Sequence, residues 1–436
     1  MKTTAAQRRL NALKALLTHV RDRLQIDLGL ALWDGSSIPY DLPGDAPVLG
    51  IADEGVVAAL VRRPTLGTLL NLFAVGRLEL RNATPFDLIA QRPRVRIKDF
   101  LKVLDKKLVL AVVAQFLFVS RGGPWPLEEI RGDKASRDGT ETANRANIQY
   151  HYDLSNGFYA LFLDPEMVYS CAYFAEPHDD LARAQRDKLD MICRKLRLKP
   201  DETLLDIGCG WGALPIHAAR HYGARAYGVT LSERQYAYAT DKIARLGLQD
   251  RVRVELKDYS SLEGSFDKIA SVGMFEHVGH ANYPRYFSLI HRLLKQDGLY
   301  LHHAIARRAK GSDRKFFSTY SREARAIGRY IFPGGDLDHV GMSIGNLERH
   351  GFEVHDVEGW RMHYARTTRL WHDRLLANRL AAEREVGPVK TRLWLMYLAG
   401  VSIGFDRAVL GVFQTLASKR RRGAANVPLS RVDLYR

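Results

Sequence analysis

The chain has 436 residues, with 65 Lys and Arg against 49 Asp and Glu, and a formal net charge of +16. That length predicts two or three domains, and 46% hydrophobic with 26% charged residues excludes wholesale disorder, a collagen-like repeat and a multi-span membrane protein. Three cysteines, Cys171, Cys193 and Cys209, follow no framework spacing, which argues against a disulfide scaffold and predicts a reducing, cytoplasmic setting.

At the N-terminus, Leu10, Leu13, Leu17, Val20 and Leu24 recur at helical spacing among Arg8, Arg9, Lys14, Arg21 and Arg23, so a basic amphipathic helix is expected. No apolar core followed by a small-residue cleavage site is seen there, which argues against secretion. Short strands with turn signals follow from Trp33 to Gly44, then helices around 53–75 and 99–119. The stretch 121–147 is rich in Gly, Pro and charge and reads as a linker. The expected division is therefore an N-terminal domain over 1–120, the linker over 121–147, and a second domain over 148–436 with a basic tail. The longest apolar stretches, Leu108 to Ser120 and Leu393 to Phe405, fall short of the roughly 20 residues that a spanning helix needs.

Beyond residue 148 come apolar strands alternating with amphipathic helices. The strands are TLLDIG, RAYGVTL, VRVELKD, KIASVGM and LYLHHAI; helices are expected from Ala213 to His221, Ser232 to Leu246 and Tyr283 to Leu294. This order predicts the α/β class: a doubly wound, mainly parallel sheet, preceded by a smaller N-terminal α+β or helical domain.

Charge is unevenly placed along this plan. Residues 1–120 hold 17 basic against 11 acidic residues and 361–436 hold 15 against 5, while 121–360 hold 33 of each. A nucleic-acid enzyme would place its excess around the active site, so no nucleic-acid partner is expected. Basic flanks fit an anionic membrane surface instead, through Arg92, Arg94, Arg96, Lys98, Lys102, Lys106 and Lys107 and through Lys419 to Arg422; ordinary solvated faces are the plainer reading of each cluster.

The segment Leu204 to Gly212 is an apolar strand running into a Gly-x-Gly-x-Gly turn and then a helix. So tight a turn needs residues without a Cβ, letting a ligand approach the backbone at the carboxyl edge of the sheet. By itself the pattern also suits a dinucleotide or a purely structural turn. Asp206 at the strand end suits the amino-acid end of a nucleoside-methionine ligand. The next strand ends in Thr230, where a nicotinamide enzyme usually carries a carboxylate.

Several longer segments carry a resemblance: YHYDLSNGFYALFLDPEMVYSCAYF (150–174), LLDIGCGWGAL (204–214), GVTLSERQ (228–235), SVGMFEHVG (271–279), LHHAI (301–305), YIFPGG (330–335) and HYARTTRLW (363–371). Together, and in this order over roughly 148–415, they resemble the cyclopropane-fatty-acyl-phospholipid synthases and the related mycolic acid methyltransferases. The resemblance implies a Rossmann-like class I methyltransferase fold and S-adenosyl-L-methionine as co-substrate. By the same resemblance, Tyr169, Ser170, Gly208 and Gly210 would hold the methionine part with Tyr152 nearby, Thr230 and Gln235 the ribose, and Asp258 with Tyr259 the adenine. Asp338-His339 departs from the family's Pro-Ser pair and puts the local loop geometry in question.

The reaction so implied is methylene addition to a cis double bond in an unsaturated acyl chain of a phospholipid. An alkene is a poor nucleophile, so it must be held in line with the donor while water is kept out. The resulting carbocation calls for aromatic faces, for which Tyr286, Phe275, Phe317 and Tyr320 are candidates beside their plainer role in core packing. Ring closure needs a base, and Cys171, Glu276, His303, Ile305 and Tyr364 match the positions that in the family surround a bound bicarbonate proposed to take the proton. Singly these residues say less: Cys171 reads as a buried small hydrophobe and His303 as a satisfied core histidine. Glu276, just after a strand, sits where open sheets bind ligands. Glu276, His277 and His280 do not follow zinc-binding order, and no metal is expected. A lipid C-methyltransferase, an RNA-modifying methyltransferase and a non-catalytic lipid-binding protein are the competing functions, and a homodimer is an open expectation.

Overall fold

The computed structural model describes residues 4–90, 104–129, 140, 154–319, 335–423 and 425–435. The chain divides into two units, Met1–Arg131 with Gly387–Gly400, and Gly132–Val386 with Val401–Arg436. A linear boundary near 121–147 does not capture the segment Gly387–Gly400, which groups with the N-terminal unit although the 255 residues from 132 to 386 separate it from the rest of that unit.

The N-terminal unit opens on helix Ala5–Leu24, capped by the Thr4 side chain, which accepts from the Gln7 amide. Its apolar face is spent inside the unit: Leu10 and Leu13 join Leu32, Ile38, Val57, Val112 and Phe116 in one core. Strands β1 (Gly29–Ala31), β2 (Ser37–Ile38), β3 (Val48–Ile51) and β4 (Leu78–Arg81) form a sheet in the order β2-β1-β3-β4. The helical region expected over 53–75 is two helices, Glu54–Arg62 and Leu66–Ala74. Pro64 lies between them, and proline has no amide hydrogen for a helix interior and disfavours helical geometry in the residue before it. Thr65 then caps the second helix by accepting from Thr68. Of the helix expected over 99–119, Lys106–Phe116 is described.

In the second unit a seven-stranded sheet carries the alternation read from the sequence. Its strands are β5 (Thr203–Ile207), β6 (Arg225–Thr230), β7 (Val252–Leu256), β8 (Phe266–Val272), β9 (Leu294–Arg307), β10 (Phe352–Gly359) and β11 (Leu410–Lys419), in the order β10-β11-β9-β8-β5-β6-β7. The pairs β5/β6, β6/β7, β5/β8 and β8/β9 are parallel, while β11 runs antiparallel to both β9 and β10. Two apolar clusters cover the sheet. One holds Leu204, Ala213, Ile216, Ala226 and Leu301, and the other Leu205, Ile207, Ile269, Phe287 and Tyr300. Leu204 and Leu205 fall in different clusters because successive strand side chains point to opposite faces. Strand order reverses between β5 and β8, which places a crevice beyond their carboxyl ends, where open α/β sheets bind ligands.

Candidate active site

That crevice is a cavity of about 120 Å³ lined by Tyr169, Ser170, Asp206, Gly208, Gly210, Thr230, Gln235, Asp258 and Tyr259. These are the residues expected at the cofactor, except Tyr152, which lies outside the described residues. The glycine turn works as its composition requires: Gly208, Gly210 and Gly212 have φ of +83°, +56° and +83°. A Cβ on Gly208 would sit 2.8 Å from Met274 Cβ, whereas one on Gly210 would meet nothing within 4 Å. Gly208 is therefore required by packing and conformation, and Gly210 leaves the backbone open to a ligand.

Polar groups line the same cavity. Asp206 is buried, and among the described residues its Oδ1 has no hydrogen-bond partner. Burial pushes its carboxyl up to about 7, against a lowering influence from Lys188. Lys188, a residue sequence reasoning did not single out, is also buried and donates to Ser170 Oγ at 3.0 Å. Burial pushes its ammonium down to about 8, while Asp164, Cys171 and Asp206 act in the opposite sense. Only its seven-residue spacing from Leu181 on helix Leu181–Lys195 hinted that it faces inward. On β6, Thr230 Oγ1 donates to Gln235 Oε1 at 2.8 Å, which leaves the Gln235 amide hydrogens for another acceptor. Asp258 accepts from the Ser260 amide at 2.8 Å, and Tyr259 packs edge-on against Tyr286. An unpaired buried carboxylate oxygen, a free amide donor and an open glycine backbone fit the ammonium, hydroxyl and carboxylate groups of S-adenosylmethionine.

The five residues expected at the reaction centre fall into two linked groups. Glu276, in the turn after β8, accepts the Ile305 backbone amide hydrogen through Oε1 at 2.7 Å, and its buried Oε2 has no partner among the described residues. Burial pushes its carboxyl up to about 7. The other three meet at Trp360. Cys171 Sγ lies 3.8 Å from the Trp360 carbonyl, which also accepts the Tyr364 amide hydrogen at 3.0 Å, and the His303 ring stands edge-on to the Trp360 indole at 5.7 Å. His303 and Ile305 share one face of β9, roughly 7 Å apart along the strand, and so connect the groups. Burial holds His303 well below its ordinary value, with Lys188 and Lys195 acting in the same direction, and it raises the Cys171 thiol well above the usual range.

Of the rings considered for a positive centre, two take the plainer role of core packing. Phe275 and Tyr286 are fully buried in the core, Phe275 stacking on Tyr283 at 4.2 Å and the Tyr286 hydroxyl bonding that of Tyr300. Phe317 is 44% exposed and Tyr320 lies outside the described residues. Instead, a wall of rings leads from the cavity to Tyr364: Tyr169 lies 5.0 Å from Trp371, Trp371 6.1 Å from Tyr364, and Tyr364 stacks on Phe405 at 4.6 Å. Tyr364 and Trp371 are seven residues apart on helix Arg361–Ala377, a spacing that gave a signal, but Phe405 could be found only from the fold. At the departure from the family pattern, His339 caps helix Val340–Arg349 by accepting from the Met342 amide. Its neighbour Asp338 is buried, accepts from Ser343 Oγ, and is pushed by burial up to about 6.

Comparison with known proteins places this arrangement. The family described as mycolic acid cyclopropane synthetase matches residues 140–415. A probable fatty acid methyltransferase of Pseudomonas putida is 37% identical over 417 residues, covering 95% of this chain and 97% of its own length. The cyclopropane-fatty-acyl-phospholipid synthase of Escherichia coli is 41% identical over 227 residues, 52% of this chain and 56% of that enzyme. Among solved structures, mycolic acid cyclopropane synthase CmaA1 complexed with SAH and CTAB superposes with a TM-score of 0.60 at 37% identity, covering 63% of this chain and 98% of that one.

Proposed function

Because the chain belongs to the mycolic acid cyclopropane synthetase family of S-adenosylmethionine-dependent methyltransferases, we propose that it forms cyclopropane rings on the unsaturated acyl chains of phospholipids. The observation that carries this reading is the buried Glu276 carboxyl, pushed by burial up to about 7, bonded to the Ile305 amide through Oε1 and with Oε2 lacking a partner among the described residues. An ionised carboxylate there would repel an anion, whereas a neutral carboxyl donates a hydrogen bond to one. That supports bicarbonate as the occupant.

S-adenosylmethionine, when bound, supplies an electrophilic methyl group. Asp206, Ser170 and the Gly208–Gly210 backbone would hold its methionine end, Thr230 with Gln235 its ribose, and Asp258 with Tyr259 its adenine. The wall of Tyr169, Trp371 and Tyr364 keeps water from the reacting alkene and presents ring faces to positive charge, an attraction worth about 0.5–2 kcal/mol. Bicarbonate would supply the base. Around it burial favours the protonated Glu276 carboxyl and the neutral His303 ring, and Tyr364 contributes a phenolic hydroxyl on a ring stacked on Phe405. A small caged anion suits this task better than a side-chain carboxylate, which the cation could alkylate.

The fatty acid methyltransferase name of the Pseudomonas relative favours a second reading, a methyl-branched or methylene product formed through the same cation. Incubation with methyl-labelled S-adenosylmethionine and unsaturated phospholipid vesicles separates the two. A product heavier by one CH2, lacking an alkene and showing ring-specific NMR signals, supports the synthase, and a branched chain replaces it with the second reading.

Membrane docking is proposed for the N-terminal unit, though not through its first helix, where Leu10, Leu13 and Leu24 are buried and Leu16 and Leu17 pack against the same unit's core. Leu110, Leu117 and Phe118 are 65%, 39% and 92% exposed at the helix that begins with Lys106 and Lys107, an apolar and basic combination suited to an anionic lipid surface at the inner face of the cytoplasmic membrane. In the tail, Arg420 and Arg421 instead pair with Glu348 and Asp297, and of the earlier basic cluster Arg92 to Lys102 lie outside the described residues. Vesicle sedimentation should show binding that needs anionic lipid, weakens with salt and falls in Phe118→Ser; equal binding to neutral vesicles contradicts it.

A further inference from the structure

His303, Gln414 and Glu358 form one row across three strands. Gln414 on β11 is directly opposite His303 on β9 and directly opposite Glu358 on β10. Lys195, at the end of helix Leu181–Lys195, closes the row: its Nζ donates to Glu358 Oε2 and, at 2.7 Å, to Gln414 Oε1. The Gln414 Nε2 lies 3.1 Å from His303 Nδ1. The Trp360 ring packs against both ends, its face 5.0 Å from Lys195 Nζ and its plane nearly perpendicular to the His303 ring at 5.7 Å. Lys195, Gln414 and His303 are each about 1% exposed, so no bulk water relieves a mismatched contact.

The donor inventory of this row allows one arrangement. An ammonium group has three hydrogens and no acceptor; burial lowers the Lys195 ammonium from its ordinary value, while its ion pair with Glu358 acts in the opposite sense and favours the charged form. It can therefore face only the oxygen of the Gln414 amide. That turns the Gln414 NH2 towards His303, and an NH2 facing a ring nitrogen demands that this nitrogen carry a lone pair. His303 Nδ1 is thus the acceptor, and the ring's hydrogen sits on Nε2. A protonated imidazole would set two donors against each other across 3.1 Å without water to separate them. We propose that Lys195 and Gln414 are positioning residues that fix His303 as the neutral Nε2–H tautomer, so that the ring presents a donor on the nitrogen away from Gln414.

This deepens the proposed function and rests on it in one respect, namely that His303 donates a hydrogen bond to the anion. A carbonate species accepts hydrogen bonds on its oxygens, so a ring offering Nε2–H holds it there, whereas a ring offering an Nε2 lone pair could hold it only through the anion's single hydrogen and would leave its oxygens without this donor. Two residues with no contact to the reacting atoms then decide whether the imidazole is useful.

The test uses the full-length chain labelled with 15N-histidine, with His303 assigned by comparison with His303→Ala and its two nitrogens distinguished by long-range 1H–15N correlation. The expected wild-type result is hydrogen on Nε2 and none on Nδ1 across neutral pH. In Gln414→Glu, a carboxylate facing Lys195 accepts from the ring, so Nδ1 gains hydrogen. In Lys195→Met, the Gln414 amide is released and Nε2–H is no longer the sole form. Turnover, followed with methyl-labelled S-adenosylmethionine and unsaturated phospholipid vesicles, should fall in both by roughly 10- to 100-fold, the size expected when a group that orients an imidazole is lost. The KM for S-adenosylmethionine should stay within about threefold, since neither residue lines its cavity. Hydrogen on Nδ1 in the wild type, or an unchanged tautomer in both variants, overturns the inference, whatever the turnover. A tautomer that shifts as expected while turnover stays normal upholds the positioning and removes His303 from the proposed mechanism.

Discussion

Glu276 and Ile305 are 29 residues apart in sequence and joined by a 2.7 Å hydrogen bond from the Ile305 amide to Glu276 Oε1. The bond occupies Oε1 and leaves Oε2 buried, with no partner among the described residues. It also uses the Ile305 amide hydrogen, which the family resemblance places next to the anion.

Replacing Glu276 by Gln should abolish turnover and leave binding of S-adenosylhomocysteine, measured by calorimetry, within a few-fold of wild type. The same variant gives a pH signature. A carboxyl raised in the folded state from 4.5 to about 7 keeps its proton where the unfolded chain has lost it, so its contribution to stability falls as pH rises between those values and is level above. The amide does not titrate. Relative to wild type, Glu276→Gln should therefore gain stability from pH 4.5 to 7, by on the order of 3 kcal/mol at most. A difference in Tm that is flat over this range would show that Glu276 is ionised in the folded protein.

The glycine turn separates conformation from ligand approach. Gly208→Ala meets Met274 and adopts a positive φ, so both stability and cofactor affinity should drop. Gly210→Ala meets no neighbour and should cost only about 1–2 kcal/mol for its left-handed backbone, yet still lose cofactor affinity by tenfold or more because its methyl group enters the cavity. Thermal melting and calorimetry read the two effects independently. Normal affinity in Gly210→Ala would move the ligand away from this backbone.

Cys171, Cys193 and Cys209 are all buried, and burial raises each thiol above its ordinary range. Iodoacetamide should leave the native protein unmodified at neutral pH and label all three after unfolding. Rapid labelling of Cys171 in the folded chain would point to a thiolate, and with it to a nucleophilic role that the burial here opposes.

Tyr364→Phe keeps the ring that stacks on Phe405 and loses only the hydroxyl. The melting temperature should change by the equivalent of less than about 1 kcal/mol, while turnover falls by about tenfold or more with cofactor affinity intact. Tyr364→Ala should in addition destabilise the chain by about 3–5 kcal/mol through the cavity it leaves. Equal turnover in Tyr364→Phe and wild type would assign Tyr364 to packing alone.

The sequence by itself determined the parts of this protein that depend on neighbours in the chain. A strand carrying Asp206 near its end, followed by glycines whose positive φ is a local backbone requirement, marks the cofactor edge, and alternating strand and helix patterns imply the doubly wound sheet. Pro64 likewise divides two helices by covalent geometry alone. Only the tertiary structure decided the contacts between distant segments: Lys195 with Gln414, 219 residues apart, Tyr364 with Phe405, and the grouping of Gly387–Gly400 with the N-terminal unit. It also decided that the leucines of the first helix face a core and that Phe275 and Tyr286 belong to packing. Hydrophobic periodicity states that a face will be buried and leaves open what buries it, because the attraction is non-directional and the partner is chosen by the packing of the whole chain.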